Sequence, residues 1–382
     1  MLMSVPYLAR RLSGFGFSFL SLCFILLLQR ATGTGRELKF VVTVYRHGDR
    51  TPISTFPTNQ ISESAWPQGY GQLTREGMKQ QHKLGRYLRK QYGKLLATEY
   101  KRKEIYVIST DVDRTIMSAQ TTLAGLYPPT GSQIWSHRIT WQPIPVHTVP
   151  RKDRLLSYPN LECPRFYKLL KETMDSGAFK LQLKNYMPFL AQIAPKTGYD
   201  VKALLDPKGQ ILWNIYDALL VQGIHKKSNP AWADKATLDK FKSLLEIVIS
   251  SVFGEPKREE KSRTQGGLLV KAVLEELANA ASKPDYKKMM MYSAHDMTLI
   301  ALQSALNVYD KKLPPYAACH IFELYKEPNG QYTVEMKYLT NIAKDPTPLT
   351  LPGCSKACPL DKFKQLVAPV IPDDLQGECS KV

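Results

Sequence analysis

Two arginines and a histidine follow an apolar run within a few residues. Residues 38–45 read LKFVVTVY, and Arg46, His47 and Arg50 come directly afterwards in the sequence RHGDR. A neutral imidazole is a nucleophile, and guanidinium groups bind the oxygens of an anion with good geometry. Gly48 is expected to let the backbone approach a ligand closely. The segment therefore predicts nucleophilic chemistry beside an anionic group.

Metal-assisted chemistry is the natural alternative for such a site. Apart from His47 and His295, the histidines are His82, His137, His147, His225 and His320. They are scattered, and no carboxylate cluster has ligand spacing, so neither a metal nor a cofactor is expected. His147 and His225 are candidates for the neighbourhood of the pocket, against the plainer alternative of a structural role. Cys354 and Cys358 have no second ligand pair nearby, which argues against zinc.

The elements that must position these residues alternate between strand and helix. Residues 38–45 predict a strand buried on both faces, and residues 74–96 predict an amphipathic helix. Two further strand–helix pairs are predicted at residues 104–109 and 114–126, and at residues 288–293 and 296–306. This alternation is typical of an α/β fold with a mostly parallel central sheet flanked by helices. The chemistry then belongs at the carboxyl ends of the strands.

The middle of the chain has helical patterns and no convincing strand. We therefore predict a mainly helical insertion, or cap, at residues 151–282, within an α/β core formed by residues 36–150 and 283–382. Residues 319–325 and 331–339 are joined through the sequence PNG and predict a β-hairpin. This hairpin is expected to extend the sheet.

The N-terminus and the net charge bear on where the protein acts. Residues 1–33 run from Arg10 and Arg11 through the apolar stretch 15–28 to small residues, which predicts a secretory signal. The stretch is shorter than the ~20 residues of a membrane span, so a transmembrane anchor is disfavoured. The net charge of +18 favours anionic partners. Phosphorylated substrates, acidic glycans and anionic lipid surfaces fit this charge, but nucleic acid does not, because there is no basic arm.

An odd number of cysteines follows the predicted signal. They are Cys163, Cys319, Cys354, Cys358 and Cys379. In an exported protein most of them are expected to form disulfides, and at least one thiol must stay unpaired. The residues alone leave the pairing open.

The sequence around His47 resembles the signature of the histidine acid phosphatases, a branch of the histidine phosphatase superfamily. The resemblance covers residues 36–379 and is similar in detail to the subgroup of the prostatic and lysosomal enzymes. The matching motifs are RHGDRTP at 46–52, STDVDRT at 109–115, WQPIPVHTVP at 141–150, QGG at 265–267, YSAHD at 292–296 and LPGC at 351–354.

The resemblance implies an acid phosphatase that cleaves phosphate monoesters through a phosphohistidine on His47, with Asp296 as the proton donor. The residues that it assigns to phosphate binding are Arg46, Arg50, Arg114 and His295. Guanidinium groups suit the charge that develops on the equatorial oxygens during phosphoryl transfer. His47 must attack as a neutral imidazole, whereas a second histidine beside the anion can stay protonated. Because Asp296 must be protonated to act, activity is expected on the acidic side.

The sequence departs from the family pattern at two positions near these motifs. Ile108 stands where relatives carry arginine, which removes an expected anchor near the site. Met297 follows Asp296 where threonine is usual, and a bulkier apolar group is expected to change the shape of the pocket. Substrate preference is therefore less constrained by the resemblance than the class of reaction.

The resemblance also bears on the cysteines. Carried over by position, the family's disulfides are Cys163–Cys379 and Cys354–Cys358. The family partner of Cys319 would fall near Val221, where this chain has no cysteine. We expect a buried, inert thiol at Cys319, with an intermolecular disulfide as the alternative.

Assembly and location follow from the resemblance only in outline. It implies a homodimer. No asparagine is followed two positions later by serine or threonine, so no N-glycan is expected, and secretion is favoured over the lysosomal lumen. Two other functions stay open: a phytase-like polyphosphate phosphatase, and a catalytically idle secreted binding protein.

Overall fold

An eight-stranded sheet forms the centre of the computed structural model, which describes residues 35–150, 153–159, 162–206 and 209–381. The predicted signal at residues 1–33 lies outside the described residues. The strands are β1 (Glu37–Arg46), β2 (Ile105–Thr110), β3 (His147–Val149), β4 (Met289–Ala294), β5 (Cys319–Lys326), β6 (Tyr332–Leu339), β7 (Thr347–Leu349) and β8 (Cys358–Pro359).

The sheet is parallel in one half and antiparallel in the other. Its order is β3-β2-β4-β1-β5-β6-β7, and β8 pairs with β6. The strands β3, β2, β4 and β1 run parallel, whereas β5 to β8 pair antiparallel with their neighbours. The predicted α/β fold and the β5–β6 hairpin are confirmed.

Helices cover both faces of the sheet and fill the middle of the chain. They are α1 (Arg75–Tyr92), α2 (Asp113–Leu126), α3 (Pro164–Asp175), α4 (Gly177–Lys184), α5 (Met187–Thr197), α6 (Val201–Leu204), α7 (Gln210–Ile224), α8 (Lys235–Phe253), α9 (Arg258–Thr264), α10 (Gly267–Ser282), α11 (Asp296–Ala305), α12 (Leu360–Val367) and α13 (Leu375–Ser380). Between α3 and α10, the described residues form no strand. None of the described helices is long and apolar enough to cross a membrane.

Strand β1 is buried on both faces, as its run of β-branched residues predicts. Val41 and Tyr45 belong to the apolar cluster under α1 and α2. Val42 and Val44 belong to the cluster under α10, α11 and α12. Because side chains of a strand alternate between the faces of the sheet, one apolar strand supports both layers of helices.

The register of the parallel strands decides where the motif residues meet. Arg46 at the end of β1 pairs with Ala294 at the end of β4, and Ser109 of β2 pairs with Ser293 of β4. The carboxyl ends of the three strands therefore lie in line. The residues that follow them emerge at one edge of the sheet, where α/β proteins commonly bind ligands.

The helical segment and the core share an apolar cluster. Ile300 and Ala301 of α11 pack in the same cluster as the buried residues of α3, α5, α7 and α8. The structure contains the disulfides Cys163–Cys379 and Cys354–Cys358, which are the pairs that the resemblance implies. The first joins the start of α3 to α13, so the helical segment is tied to the C-terminal end of the described chain.

Cys319 is a free thiol within β5. It is fully buried, and burial raises its pKa. Val221, near which a partner was expected, is a buried residue of α7. A buried thiol that resists ionisation is a poor nucleophile, which supports the inert thiol over the intermolecular disulfide.

Strand β3 was not predicted from the sequence. It lies in the proline-rich segment WQPIPVHTVP, whose composition reads as a loop. In the structure β3 is the edge strand of the sheet, and proline is tolerated near an edge because its missing N–H is not needed by a second neighbour. Tertiary pairing with β2 therefore overrides the local pattern.

Gly48 and Gly77 bring the loop after β1 into backbone contact with α1. A Cβ atom on Gly48 would lie 2.3 Å from the carbonyl oxygen of Gly77. A Cβ atom on Gly77 would lie 2.1 Å from the carbonyl oxygen of Asp49. The missing side chain of Gly48 makes room for α1, and the close approach of its backbone to a ligand stays a prediction.

We expect Gly77→Ala to push α1 away from this loop, since the backbone atoms that it would meet cannot rotate aside. Overpacking of this kind typically lowers the free energy of unfolding by about 1–3 kcal/mol, which urea denaturation measures. Gly177→Ala at the start of α4 is the matched control, because no atom lies within 4 Å of the added Cβ. An equal loss in the two variants would contradict the close contact.

Candidate active site

The residues that follow β1, β2 and β4 line one cavity of about 480 Å³. The histidine, arginine and aspartate side chains on its wall are His47, Arg50, Arg114, His295 and Asp296. These are five of the six residues predicted for catalysis and phosphate binding. The sixth, Arg46, contacts Asp296 from behind instead of lining the cavity.

The hydrogen bonds of His47 fix which ring nitrogen is basic. Its Nδ1 lies 2.8 Å from the carbonyl oxygen of Gly48. Because a carbonyl oxygen only accepts, Nδ1 carries the proton, and the lone pair of the neutral ring is on Nε2. Burial, followed by the charges of Arg114 and Arg46, lowers the pKa of His47 well below its ordinary value. The ring therefore stays neutral in mild acid, as a nucleophile requires.

Arg50 is held by an acid from the helical segment. Its Nη1 donates to Oδ2 of Asp217 at 2.9 Å, and both side chains are buried. Burial alone would lower the pKa of Arg50, but Asp217 outweighs it and raises that pKa. The same Asp217 oxygen accepts from the backbone N–H of Ile53 at 3.0 Å. Helix α7 thus fixes both the charge and the position of Arg50.

Arg114 enters the cavity from the first turn of α2, directly after β2. Its Nη1 is 3.4 Å from the carbonyl oxygen of Gly71. Burial and the charge of Arg50 lower its pKa to about 10. The guanidinium therefore stays protonated at neutral and acidic pH, despite the repulsion.

Asp296 begins α11 and forms an ion pair with Arg46. Its Oδ2 lies 2.7 Å from Nη2 of Arg46, whose Nη1 donates to the carbonyl oxygen of Pro314 at 2.6 Å. The Arg46 guanidinium also lies over the ring of Tyr316. Burial alone would raise the pKa of Asp296, but Arg46 and Arg50 outweigh it and lower that pKa. Asp296 is consequently a carboxylate until another anion competes for these guanidinium groups.

The surroundings of His295 favour its neutral form while no anion is bound, and a protonated second histidine beside bound phosphate stays a prediction. Burial and the charge of Arg114 lower its pKa to about 3. Its Nε2 lies 3.0 Å from Oγ1 of Thr110 at the end of β2. Its ring centroid is 5.7 Å from that of His47. Only a bound anion that offsets the arginines would favour its protonated form.

Comparison with known proteins is consistent with this geometry. The model of the histidine phosphatase superfamily (branch 2) matches residues 37–339. The chain belongs to this superfamily. It is 47% identical to prostatic acid phosphatase from Homo sapiens over 378 residues, 98% of this chain and 96% of that protein. It is 48% identical to lysosomal acid phosphatase from Xenopus laevis over 346 residues, 90% of this chain and 79% of that protein.

Solved structures with the same fold are more distant in sequence. The phytase from Citrobacter braakii has a TM-score of 0.68 and 17% identity, covering 91% of this chain and all of that one. Hafnia alvei phytase in complex with tartrate has a TM-score of 0.64 and 16% identity, covering 90% and 98%. At these identities the likeness establishes the histidine phosphatase fold and nothing more specific.

Two of the expected histidine positions have clear outcomes in this histidine phosphatase. His225, at the end of α7, does not line the cavity, but its Nε2 is 2.8 Å from Oδ2 of Asp49 in the loop after β1. His147 stacks on Tyr106, with ring centroids 4.5 Å apart, and does not line the cavity either. Within the described residues, no three His, Cys, Asp or Glu are grouped to hold a metal ion.

The two departures from the family pattern also have different outcomes. Met297 lines the cavity beside Asp296, as its position predicts. Ile108 pairs with Tyr292 and His147 in the sheet and packs against the apolar cluster under α10 and α11. Ile108 does not line the cavity, and the effect of losing the family's arginine at this position stays a prediction.

Several contributors to the site were missed by sequence reasoning. Asp217 is a lone acid within the apolar run of α7, and a charge in such a run is a detectable signal for a buried partner. Thr110 and Pro314 act through a hydroxyl and a carbonyl oxygen, for which the sequence offers no signal. The apolar face of α8 follows helical spacing, but that spacing predicts core packing as readily as a cavity wall.

We expect His225→Ala to destabilise the loop after β1. Asp49 is 1% exposed, and His225 is one of the described side chains that hydrogen-bond its carboxyl group. In the variant, the hydrogen bond from Thr74 would remain. Loss of one partner of a buried polar group costs about 1–3 kcal/mol, which urea denaturation measures as a lower free energy of unfolding.

The Asp49→Asn/His225→Ala double variant is the control for this prediction. An amide in place of the carboxyl group removes the charge that His225 helps to bury. The double variant should therefore lose less unfolding free energy than the sum of the losses in the two single variants. Strict additivity would show that the Asp49–His225 hydrogen bond is not what holds the loop.

Proposed function

We propose that this protein is an acid phosphatase that hydrolyses phosphate monoesters through a phosphohistidine on His47. The observation that carries the proposal is the tautomer of His47, whose basic Nε2 belongs to a buried neutral ring beside Arg50 and Arg114. The prostatic and lysosomal acid phosphatases, at 45–49% identity, support the same activity.

The first step transfers the phosphoryl group to His47. The anionic oxygens bind Arg50 and Arg114 with His295 beside them, and Nε2 of His47 attacks phosphorus in line with the ester oxygen. A P–N bond forms as the ester P–O bond breaks. The guanidinium groups stabilise the charge on the equatorial oxygens, and they need no reorganisation because the fold already holds them.

Asp296 is proposed to protonate the leaving oxygen. Its pKa is low in the structure because Arg46 and Arg50 favour the carboxylate. A bound phosphate competes for those guanidinium groups and so raises the pKa of Asp296. The protonated fraction grows as the pH falls and shrinks as it rises, so turnover is expected to decline toward alkaline pH. Arg46 thus sets the charge state of the acid, apart from any contact with phosphate.

The second step releases phosphate. Asp296, now a carboxylate, accepts a proton from the attacking water, and the P–N bond breaks to give inorganic phosphate and free His47. The carboxylate returns to the protonated form for the next cycle. Acid and base roles on one residue follow from the symmetry of the two steps.

The two alternative functions fit the site less well. A catalytically idle binding protein would not require the depressed pKa values of His47 and His295 or the Arg46–Asp296 pair around one cavity. A phytase-like enzyme would need positive charge around several phosphates. Among the described residues that line the cavity, the two arginines lie together beside His47.

Location is proposed from chemistry rather than from the described structure. Two disulfides form in oxidising compartments, and an acid-dependent reaction fits an acidic secretion or the lysosomal lumen. We favour secretion, because the sequence has no N-glycan acceptor. The net charge of +18 suits acidic glycans or anionic lipid surfaces as additional partners.

We expect His47→Ala and Asp296→Ala to fail in different ways. His47→Ala should abolish labelling of the protein by radioactive phosphate and reduce turnover to background, because no nucleophile remains. Asp296→Ala should lose about 10²–10⁴-fold more on an alkyl phosphate than on a nitrophenyl phosphate, whose leaving oxygen needs little protonation. All rates are measured with EDTA present, since arginines replace the metal in the proposal. Equal losses on both esters, or trapping by His47→Ala, would overturn these roles.

The homodimer is proposed to form through an exposed apolar loop, residues 134–141. Its large side chains are Ile134, Trp135, Ile139 and Trp141, of which Trp135 is 56% exposed. The loop precedes the edge strand β3, and Nε1 of Trp135 donates to the carbonyl oxygen of Trp141, which keeps the patch together. Contiguous apolar surface of this kind marks interaction sites, and a self-complementary patch generates a two-fold dimer.

We expect Trp135→Asp to convert the dimer to a monomer in sedimentation equilibrium, because it would place two charges in a desolvated contact. Leu181→Asp on α4 is the control, since Leu181 is even more exposed, at 67%, but lies outside this loop. A wild-type protein that sediments as a monomer would refute the dimer. A dimer that survives Trp135→Asp would move the interface elsewhere.

A further inference from the structure

The catalytic cavity has two walls of different chemistry. Its histidine, arginine and aspartate side chains belong to the residues that follow the parallel strands. The remainder of the wall comes largely from helices of the middle segment. Its main apolar side chains are Trp213, Leu245, Val248, Ile249, Val252 and Met297. A pocket of this size, mostly apolar with a few convergent polar groups, is the usual form of a site for an organic ligand.

Helix α8 presents one continuous stripe to this cavity. Leu245, Val248, Ile249 and Val252 are spaced i, i+3, i+4 and i+7, which places them on one face of the helix. Ile247 and Ser250, on another face of α8, line a separate cavity. The chain therefore directs aliphatic side chains, and not its polar ones, toward the space beside the phosphate position.

The described residues of the apolar wall offer no countercharge to a second anionic group. Among the described residues that line the cavity, the cationic ones are Arg50 and Arg114, both grouped with His47. A second phosphate would lose water against aliphatic side chains without a partner, which is strongly unfavourable. An apolar group on the same ester would instead leave water for contact with aliphatic side chains, which is favourable.

We propose that this enzyme selects phosphate monoesters whose alcohol carries a sizeable apolar group, and that the α8 stripe is the specificity-determining wall. The proposal rests on the proposed phosphatase activity and adds the class of leaving group. Met297, where the family pattern has threonine, adds apolar surface next to Asp296 and so extends the wall to the reacting oxygen.

The test is the specificity constant for a series of straight-chain alkyl phosphates, from ethyl to decyl, each below its critical micelle concentration and at one acidic pH. All members have nearly the same leaving-group basicity, so differences report binding of the chain. Burial of one methylene corresponds to about a three- to fourfold gain, so kcat/KM should climb by up to that factor per carbon until the chain fills the cavity. Glycerol 2-phosphate should fall at the low end.

Variants on two faces of α8 locate the wall. Each variant's kcat/KM values are divided by its own value for ethyl phosphate. Val248→Phe fills part of the cavity, so the rise in this ratio should level off at a shorter alkyl chain. Threonine has nearly the same shape as valine but is polar, so Val248→Thr should reduce the gain in kcat/KM per methylene. This variant keeps the test valid if the larger side chain of Val248→Phe disturbs folding. Ile247→Phe is the matched control, because it lies on the same helix but faces the other cavity.

The outcomes distinguish the phosphatase activity from the selection for apolar leaving groups. A rise that Val248 variants blunt and Ile247→Phe does not blunt establishes the wall. A flat series with normal hydrolysis of ethyl phosphate overturns the selection for apolar groups but leaves the phosphatase activity intact. A rise that is unchanged in both Val248 variants assigns the selection to another surface. Absence of hydrolysis throughout refutes the proposed function itself.

Discussion

Mutual repulsion among buried cationic groups is the constraint on which the catalytic cavity depends. Arg46 and Arg50 are almost inaccessible to water, and burial together with the charge of Arg50 lowers the pKa of Arg114 to about 10. Isolated charges at such depth would be prohibitively unfavourable, so each must have a built partner. Asp296 and the Pro314 carbonyl oxygen serve Arg46, and Asp217 serves Arg50. Burial, together with the repulsion that remains, lowers the pKa values of the nearby imidazoles of His47 and His295.

The helical segment is part of the active site because it supplies partners for buried charged residues of the loop after β1. Helix α7 holds the loop after β1 at two points, through Asp217 to Arg50 and through His225 to Asp49. Helix α1 touches the same loop backbone to backbone at Gly48. The nucleophile therefore lies in a loop fixed by the sheet, by α1 and by α7 at once, which is the preorganisation that phosphoryl transfer needs.

The sequence predicted the sheet and the motif residues because both depend on local patterns. Strand β1 is recognisable from its β-branched run, and parallel strands bring the residues after them to one edge whatever the details of the loops. The pairing of Arg46 with Asp296 was not predictable, since 250 positions separate residues that only the β1–β4 register aligns. Strand β3 was hidden by the prolines that flank it, and the contact of Gly48 with α1 was not predictable because it arises from tertiary packing.

The Cys163–Cys379 disulfide closes a covalent ring that contains only part of the catalytic machinery. It closes a ring of chain with a sequence separation of 216, which contains α7, α8 and the acid Asp296, whereas His47 and Arg114 lie outside it. A single cut in any loop of that ring opens it without freeing a fragment, so acid and nucleophile stay in one molecule as long as the bond is intact. After one such cut inside the ring, the chain remains a single covalent molecule, and reduction of this disulfide would then release the part that follows the cut.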